Sequence, residues 1–394
     1  MTKIPPDYRL RLPGPTTVPE RVRQAIALPA LDHRGLEFRE IFGRAEELIK
    51  PVMGTANPVL FFACSGTGVM EASLVNTVAP GDAVLVCVAG QFGARFAAIA
   101  RAMGARVDVL DVEWGRAVDP AEVAKRVQST DYRAVVVVHN ESSTGVVADV
   151  AAIGKILRDS PTLLIVDSVS GLGGLEMKQD EWGIDILVSS SQKCLMCPPG
   201  VGLASVSRKA RAVVDRESAM PRFYWDFRKA FAPAESAETP FTPSIALMTG
   251  LCEALEMIHA EGLPHVLARH RRLSSALGAG CSALGLAPFG ASNSTTVVVL
   301  DVPKPLKGGD IVNTMYREHR TVIAGSRNKL DGRVIRIGTM GALTDGDIVT
   351  DLLHLESSLA DLGWPVTPGA GVQAAASLLE PERVEPERAP ANAR

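Results

Sequence analysis

The chain is poor in everything that would mark it as secreted, membrane-spanning or nucleic-acid-binding. Six cysteines, at positions 64, 87, 194, 197, 252 and 281, are scattered through 394 residues, which does not suggest a disulfide framework. Cys194 and Cys197 form a C-x-x-C pair, but a zinc site would want a second pair or a histidine cluster nearby, and neither is present. A metal or redox role for this pair therefore stands behind the plainer reading of buried or site-lining thiols. No apolar run approaches the ~18 residues of a membrane span. The longest, such as Ala134-Val135-Val136-Val137-Val138, have strand length. The opening Met1-Thr2-Lys3-Ile4-Pro5-Pro6-Asp7 lacks the apolar stretch of a secretory signal. Nor is there an excess of one charge: 41 basic and 44 acidic residues are interspersed, without a basic stripe to face nucleic acid. A cytoplasmic enzyme with a small-molecule substrate is the expectation that remains.

What is present is a regular alternation. Apolar residues make up 46% of the chain, enough for the core of two ordinary domains. Strand-like segments at 83–88, 106–110, 133–138, 163–166, 184–188 and 201–206 are separated, through the first five, by helical patterns such as 92–103, 120–127 and 150–158. Short Val/Ile-rich runs between helices predict an α/β fold with a mainly parallel sheet covered on both faces. A long helical pattern at 244–284, a strand at 296–300, a helix near 310–318, a strand at 334–337 and a closing helix from Asp345 predict a smaller α+β C-terminal domain. The expected division is an N-terminal arm at 1–20, a large domain at 21–260, a small domain at 261–364 and a tail at 365–394. The Pro-, Ala-, Glu- and Arg-rich composition of the tail predicts disorder.

Three segments fall at strand ends, where open α/β sheets bind ligands. Leu163-Leu164-Ile165-Val166-Asp167 ends an apolar strand in a carboxylate. Taken alone, Asp167 reads first as a helix cap and second as a buried acid paired with a cationic ring nitrogen. Ser189-Ser190-Ser191-Gln192-Lys193 runs from a second strand into a lysine, followed by Pro198-Pro199-Gly200. Uncharged neighbours could desolvate that amine and favour its neutral, nucleophilic form. Ser65-Gly66-Thr67-Gly68 follows a strand at 59–62 and opens a helix, where small residues let backbone N–H groups approach an anion. It ends in neither G-K-[ST] nor G-x-G-x-x-G.

These motifs, with Pro13-Gly14-Pro15-Thr16, Asp32-His33-Arg34, His139-Asn140-Glu141-Ser142-Ser143-Thr144-Gly145-Val146 and Val334-Ile335-Arg336-Ile337-Gly338, resemble the class V aminotransferases of the fold-type-I pyridoxal-phosphate superfamily. The alanine–glyoxylate and serine–pyruvate group is most similar, over about 10–362. The resemblance implies that Lys193 holds pyridoxal 5'-phosphate as a Schiff base and moves the proton between substrate Cα and cofactor C4′. It implies that Asp167 keeps the pyridine nitrogen protonated. Ser65, Gly66, Thr67 and Gln192 would hold the phosphate, Phe92 would stack on the ring where many members carry Trp, and Ser142 would lie near the ring hydroxyl. Arg336 would clamp the substrate α-carboxylate. Thr242 would reach the phosphate of a neighbouring subunit, implying a homodimer with shared active sites. The implied activity is ping-pong transamination from an α-amino acid to a small 2-oxo acid such as glyoxylate or pyruvate.

Without the resemblance, Phe92 reads as a core residue, Arg336 equally well as half of an ion pair, His33 and Arg34 as turn or interface residues, and His139 as hydrogen-bonded structure. The rivals are a lyase or elimination chemistry on the same scaffold, a transaminase of a non-standard amine or aminophosphonate, and a non-enzymatic protein of this fold. A cysteine desulfurase would need a mobile cysteine in the C-terminal half. Only Cys252 and Cys281 lie there, both in helical patterns. Cys194 and Cys197 depart from the small or polar residues usual beside the lysine.

Overall fold

The Val- and Ile-rich runs pair into one seven-stranded sheet. In the computed structural model, which describes residues 8–216, 220–326 and 328–379, its order is Val59–Phe62, Gly202–Val206, Ile186–Ser190, Leu163–Asp167, Ala134–Val138, Ala83–Val88 and Arg106–Asp111. Only Gly202–Val206 runs antiparallel to its neighbours; the other pairings are parallel. The central strands are buried on both faces because side chains alternate: Leu164 and Val166 join one apolar cluster, Leu163 and Ile165 the other. No helix among the described residues is long and apolar enough to cross a membrane.

The smaller sheet is antiparallel, in the order Val297–Asp301, Val334–Gly338, Ala324–Gly325. The helical pattern expected as one unit over 244–284 is two helices, Ile245–Glu261 and Leu263–Ala283. Gly262 breaks it at φ +85°, a conformation that glycine adopts readily, and Pro264 sits in the first turn of the second helix, where a missing N–H costs nothing.

The N-terminal segment is tied down. Arg9–Leu10 pairs with Thr321–Val322, and Arg9 and Arg11 share the carboxylates of Asp347 and Asp351, with Arg11 and Asp351 almost fully buried.

The expected disorder from position 365 is corrected for its first half. Ala370–Leu379 is a helix whose Ala375 and Leu379 enter the apolar cluster that holds Leu300, Ile335 and Ile337 of the smaller sheet. It lies so close to Leu263–Ala283 that a side chain at Gly280 would meet the Gly371 carbonyl at 2.8 Å. Composition averaged over 365–394 blended this Ala- and Leu-rich decapeptide with the charged Pro-rich segment after it. Residues 380–394 lie outside the described residues.

Candidate active site

The parallel strands end on one edge of the sheet, about 4.8 Å apart, and their connecting turns bring the strand-end residues together. Asp167 closes its strand between Val138 and Val188. Lys193 lies three residues beyond the next strand, Ile186–Ser190, and is buried. Glu141 and Ser142 follow Ala134–Val138, Phe92 follows Ala83–Val88, and Ser65 to Thr67 follow Val59–Phe62.

Oδ1 of Asp167 accepts from the Val169 amide at 2.7 Å. Burial pushes the Asp167 carboxyl up to about 6; the Val169 N–H, Lys193 and Arg95 oppose this rise, and the charge of Glu141 adds to it. Burial pulls the Lys193 ammonium down to about 8, with Arg336 acting in the same direction and Asp167 against it. A buried acid and a buried amine thus share one dry site.

The N-terminal segment covers the lysine. Lys193 Nζ donates to the Pro13 carbonyl, and Thr16 binds the Lys193 carbonyl through its hydroxyl and the Gln192 carbonyl through its amide, each at 3.1 Å. Gly14 stands at φ +93°, and a side chain there would come within 2.3 Å of Nζ. The position requires glycine on both counts.

At Ser65 the chain is extended, and the helix Gly66–Val75 begins behind it, leaving its first amides without helical partners. A side chain at Gly66 would press on Val169 at 3.0 Å. The Thr67 hydroxyl accepts from Arg95 Nη1 at 3.0 Å, and the same guanidinium lies 4.9 Å from the centroid of the Phe92 ring. From the smaller sheet, Arg336 donates through Nε and Nη2 to the Gly325 carbonyl (3.0 and 2.9 Å) and through Nη1 to the Ser142 carbonyl at 3.1 Å.

Lysine, acid, glycine turn and arginine are the residue types of amino-group transfer, and residues 21–329 match the family Aminotransferase class-V. The chain belongs to the class-V aminotransferases. Similar proteins include a Synechococcus protein named as the small subunit of a soluble hydrogenase, 38% identical over 94% of this chain and 98% of that one. The serine–glyoxylate aminotransferase of Methylorubrum extorquens is 35% identical over 96% and 97%. Among solved structures, the ureidoglycine–glyoxylate aminotransferase of Bacillus subtilis superposes with a TM-score of 0.91 at 28% identity, covering 96% of this chain and 99% of that one. The expected fold type I is thereby met.

In this class-V aminotransferase the sequence-selected residues Ser65, Gly66, Thr67, Phe92, Ser142, Asp167, Gln192, Lys193 and Arg336 gather at one edge of the large sheet. The Gln192 side-chain carbonyl accepts from the Ser190 hydroxyl. Thr242 is different: it is exposed and lines a hollow with Phe61, Phe62 and Tyr224. His139 is buried against Trp182 and Ser168 and held neutral, down to about 4, in keeping with a structural reading. Cys194 and Cys197 are free, buried thiols pushed up to about 12. Arg34 pairs with Glu238 and the Thr239 carbonyl. Sequence reasoning passed over Glu141 and Arg95. Glu141 sat inside the motif at 139–146 and Arg95 inside the helical pattern at 92–103, and no spacing rule singles out a lone carboxylate or guanidinium.

Proposed function

We propose that this aminotransferase is a cytoplasmic homodimer that uses pyridoxal 5'-phosphate to pass the amino group of an α-amino acid to a small 2-oxo acid such as glyoxylate or pyruvate, with ping-pong kinetics. The observation that carries the reading is a buried Lys193 within electrostatic reach of both the buried Asp167 and Arg336. The residues fit the cofactor. A carboxylate almost without solvent suits a cationic ring nitrogen. The open helix start at Gly66, where any side chain would crowd Val169, suits a phosphate. When bound, the cofactor supplies an electron sink for the charge that develops at the substrate Cα.

The chain supplies the rest. Lys193 Nζ, with its affinity for protons lowered by burial, holds and returns the Cα proton near neutral pH. Asp167 keeps a negative charge where the ring nitrogen sits. Ser65, Gly66, Thr67 and Gln192 would hold the phosphate, Phe92 would cover the ring and Ser142 would lie by its hydroxyl. Arg336, oriented by two backbone carbonyls, binds the substrate carboxylate. Thr242, exposed in the single chain, serves the partner's phosphate. The glyoxylate in the names of two relatives supports the choice of acceptor.

The test is a half-reaction screen. One sample is treated with borohydride to fix the cofactor to one peptide; a separate, untreated sample is mixed with a panel of amino compounds and its cofactor band followed. Labelling of Lys193 and bleaching by α-amino acids are expected. Labelling elsewhere, or bleaching only by amines without a carboxylate, refutes the reading.

A further inference from the structure

Glu141 is a buried carboxylate that forms no hydrogen bond to Lys193, Asp167 or Arg336 among the described residues. Its partners lie at the start of the helix Gln91–Ala102 and in its own turn. Oε2 accepts from the amides of Phe92 and Gly93 at 3.0 and 3.1 Å, and Oε1 from the hydroxyl and amide of Ser143 at 2.5 and 3.3 Å. The Ser143 hydroxyl in turn accepts from the Gln91 amide at 2.9 Å. The first bond within the helix is Ala94 to the Gly90 carbonyl. The three earlier N–H groups, which no helical carbonyl can reach, are therefore all taken by Glu141 and Ser143. The residue before the helix, Gly90, has no side chain to cap it and has room for none: a Cβ would stand 2.4 Å from Glu141 Cγ. A carboxylate from another strand end has replaced the cap, on the side that the helix dipole favours. Arg95 lies over the Phe92 ring and binds Thr67.

We propose that Glu141 is a positioning residue which, by holding the amides of Phe92 and Gly93, fixes how the Phe92 ring meets the bound cofactor. The inference rests on the cofactor reading above. It assigns the effect to the hydrogen bonds of Glu141, so an acceptor of the same length serves in its place.

Apo-protein is titrated with pyridoxal phosphate, and absorbance and the circular dichroism induced in the cofactor band are read for the parent, E141A, E141Q, F92A and the double variant E141A/F92A. E141A should bind on the order of tenfold to a hundredfold more weakly, the range expected for hydrogen bonds to a charged group, and should lose or invert the induced dichroism. E141Q should stay within about threefold, because its amide oxygen still accepts from both N–H groups. The double variant should bind no more weakly than F92A, since the effect passes through that ring. Additive losses, an E141Q as weak as E141A, or an E141A with the parent's affinity and dichroism would overturn the assignment. S143A removes one support of the carboxylate and should change the dichroism in the same sense; no change there counts against it too, even if E141A does not fold. A parent that binds no pyridoxal phosphate would refute the cofactor reading itself, and this inference with it.

Discussion

Asp167→Asn should make the apo-protein more stable at neutral pH while disabling the enzyme. The Asp167 carboxyl rises from 3.8 to about 6, chiefly because burial penalises its charge. A folded-state value above the unfolded one means that the folded chain holds the proton more tightly. Its contribution to stability is therefore full below about pH 4 and is lost as pH rises through about 6. At ~1.4 kcal/mol per pH unit the displacement corresponds to about 3 kcal/mol of destabilisation in the ionised apo-protein. Asparagine keeps an oxygen for the Val169 amide and has no charge to bury. Urea unfolding of cofactor-free parent and variant, at intervals from pH 4 to 7.5, should show the difference between them widening in favour of the variant by up to about 3 kcal/mol. Titrating groups that do not interact with Asp167 cancel in that difference. The loaded variant should lose turnover by orders of magnitude, since an amide cannot balance a ring cation. A stability difference independent of pH, or a variant less stable at pH 7.5, would refute the desolvation argument. Near-normal kcat would reduce Asp167 to the cap of a turn.

Two further outcomes follow from the same geometry. Arg336→Lys loses the planar fork that the Gly325 and Ser142 carbonyls orient; a charge-assisted pair of ~1.5–3 kcal/mol makes kcat/KM for α-amino acids fall roughly 10- to 150-fold. Amines without a carboxylate should be spared, and equal losses for both would mean that Arg336 holds the fold rather than the substrate. Mixing Lys193→Ala chains with chains disabled at Thr242 should restore activity in hybrid dimers, whereas a fully active monomer in sedimentation would dismiss the shared site.

The sequence alone determined the large sheet, because strands buried on both faces must be apolar throughout, so that a carboxylate or an amine at a strand end stands out. That is why Asp167 and Lys193 could be picked out, and why most strand bounds fall within two residues of those expected. Recognition of dispersed motifs then supplied the candidate site, including Arg336, whose own strand gives no hint of which way it faces. The tertiary structure decided three things. It placed Pro13 and Gly14 on Lys193, because the N-terminal segment is held by Thr321–Val322 and by Asp347 and Asp351, more than 300 residues away. It folded Ala370–Leu379 against the helix Leu263–Ala283, because a short Ala-rich segment becomes a helix only against a surface it can bury itself on. It set the Glu141 carboxylate on the Phe92 amide, a pairing 49 residues apart that depends on two strands lying side by side. Local pattern reports what a segment can bury; which distant segment meets it is settled only when the sheet has closed and each charge must find its partner there.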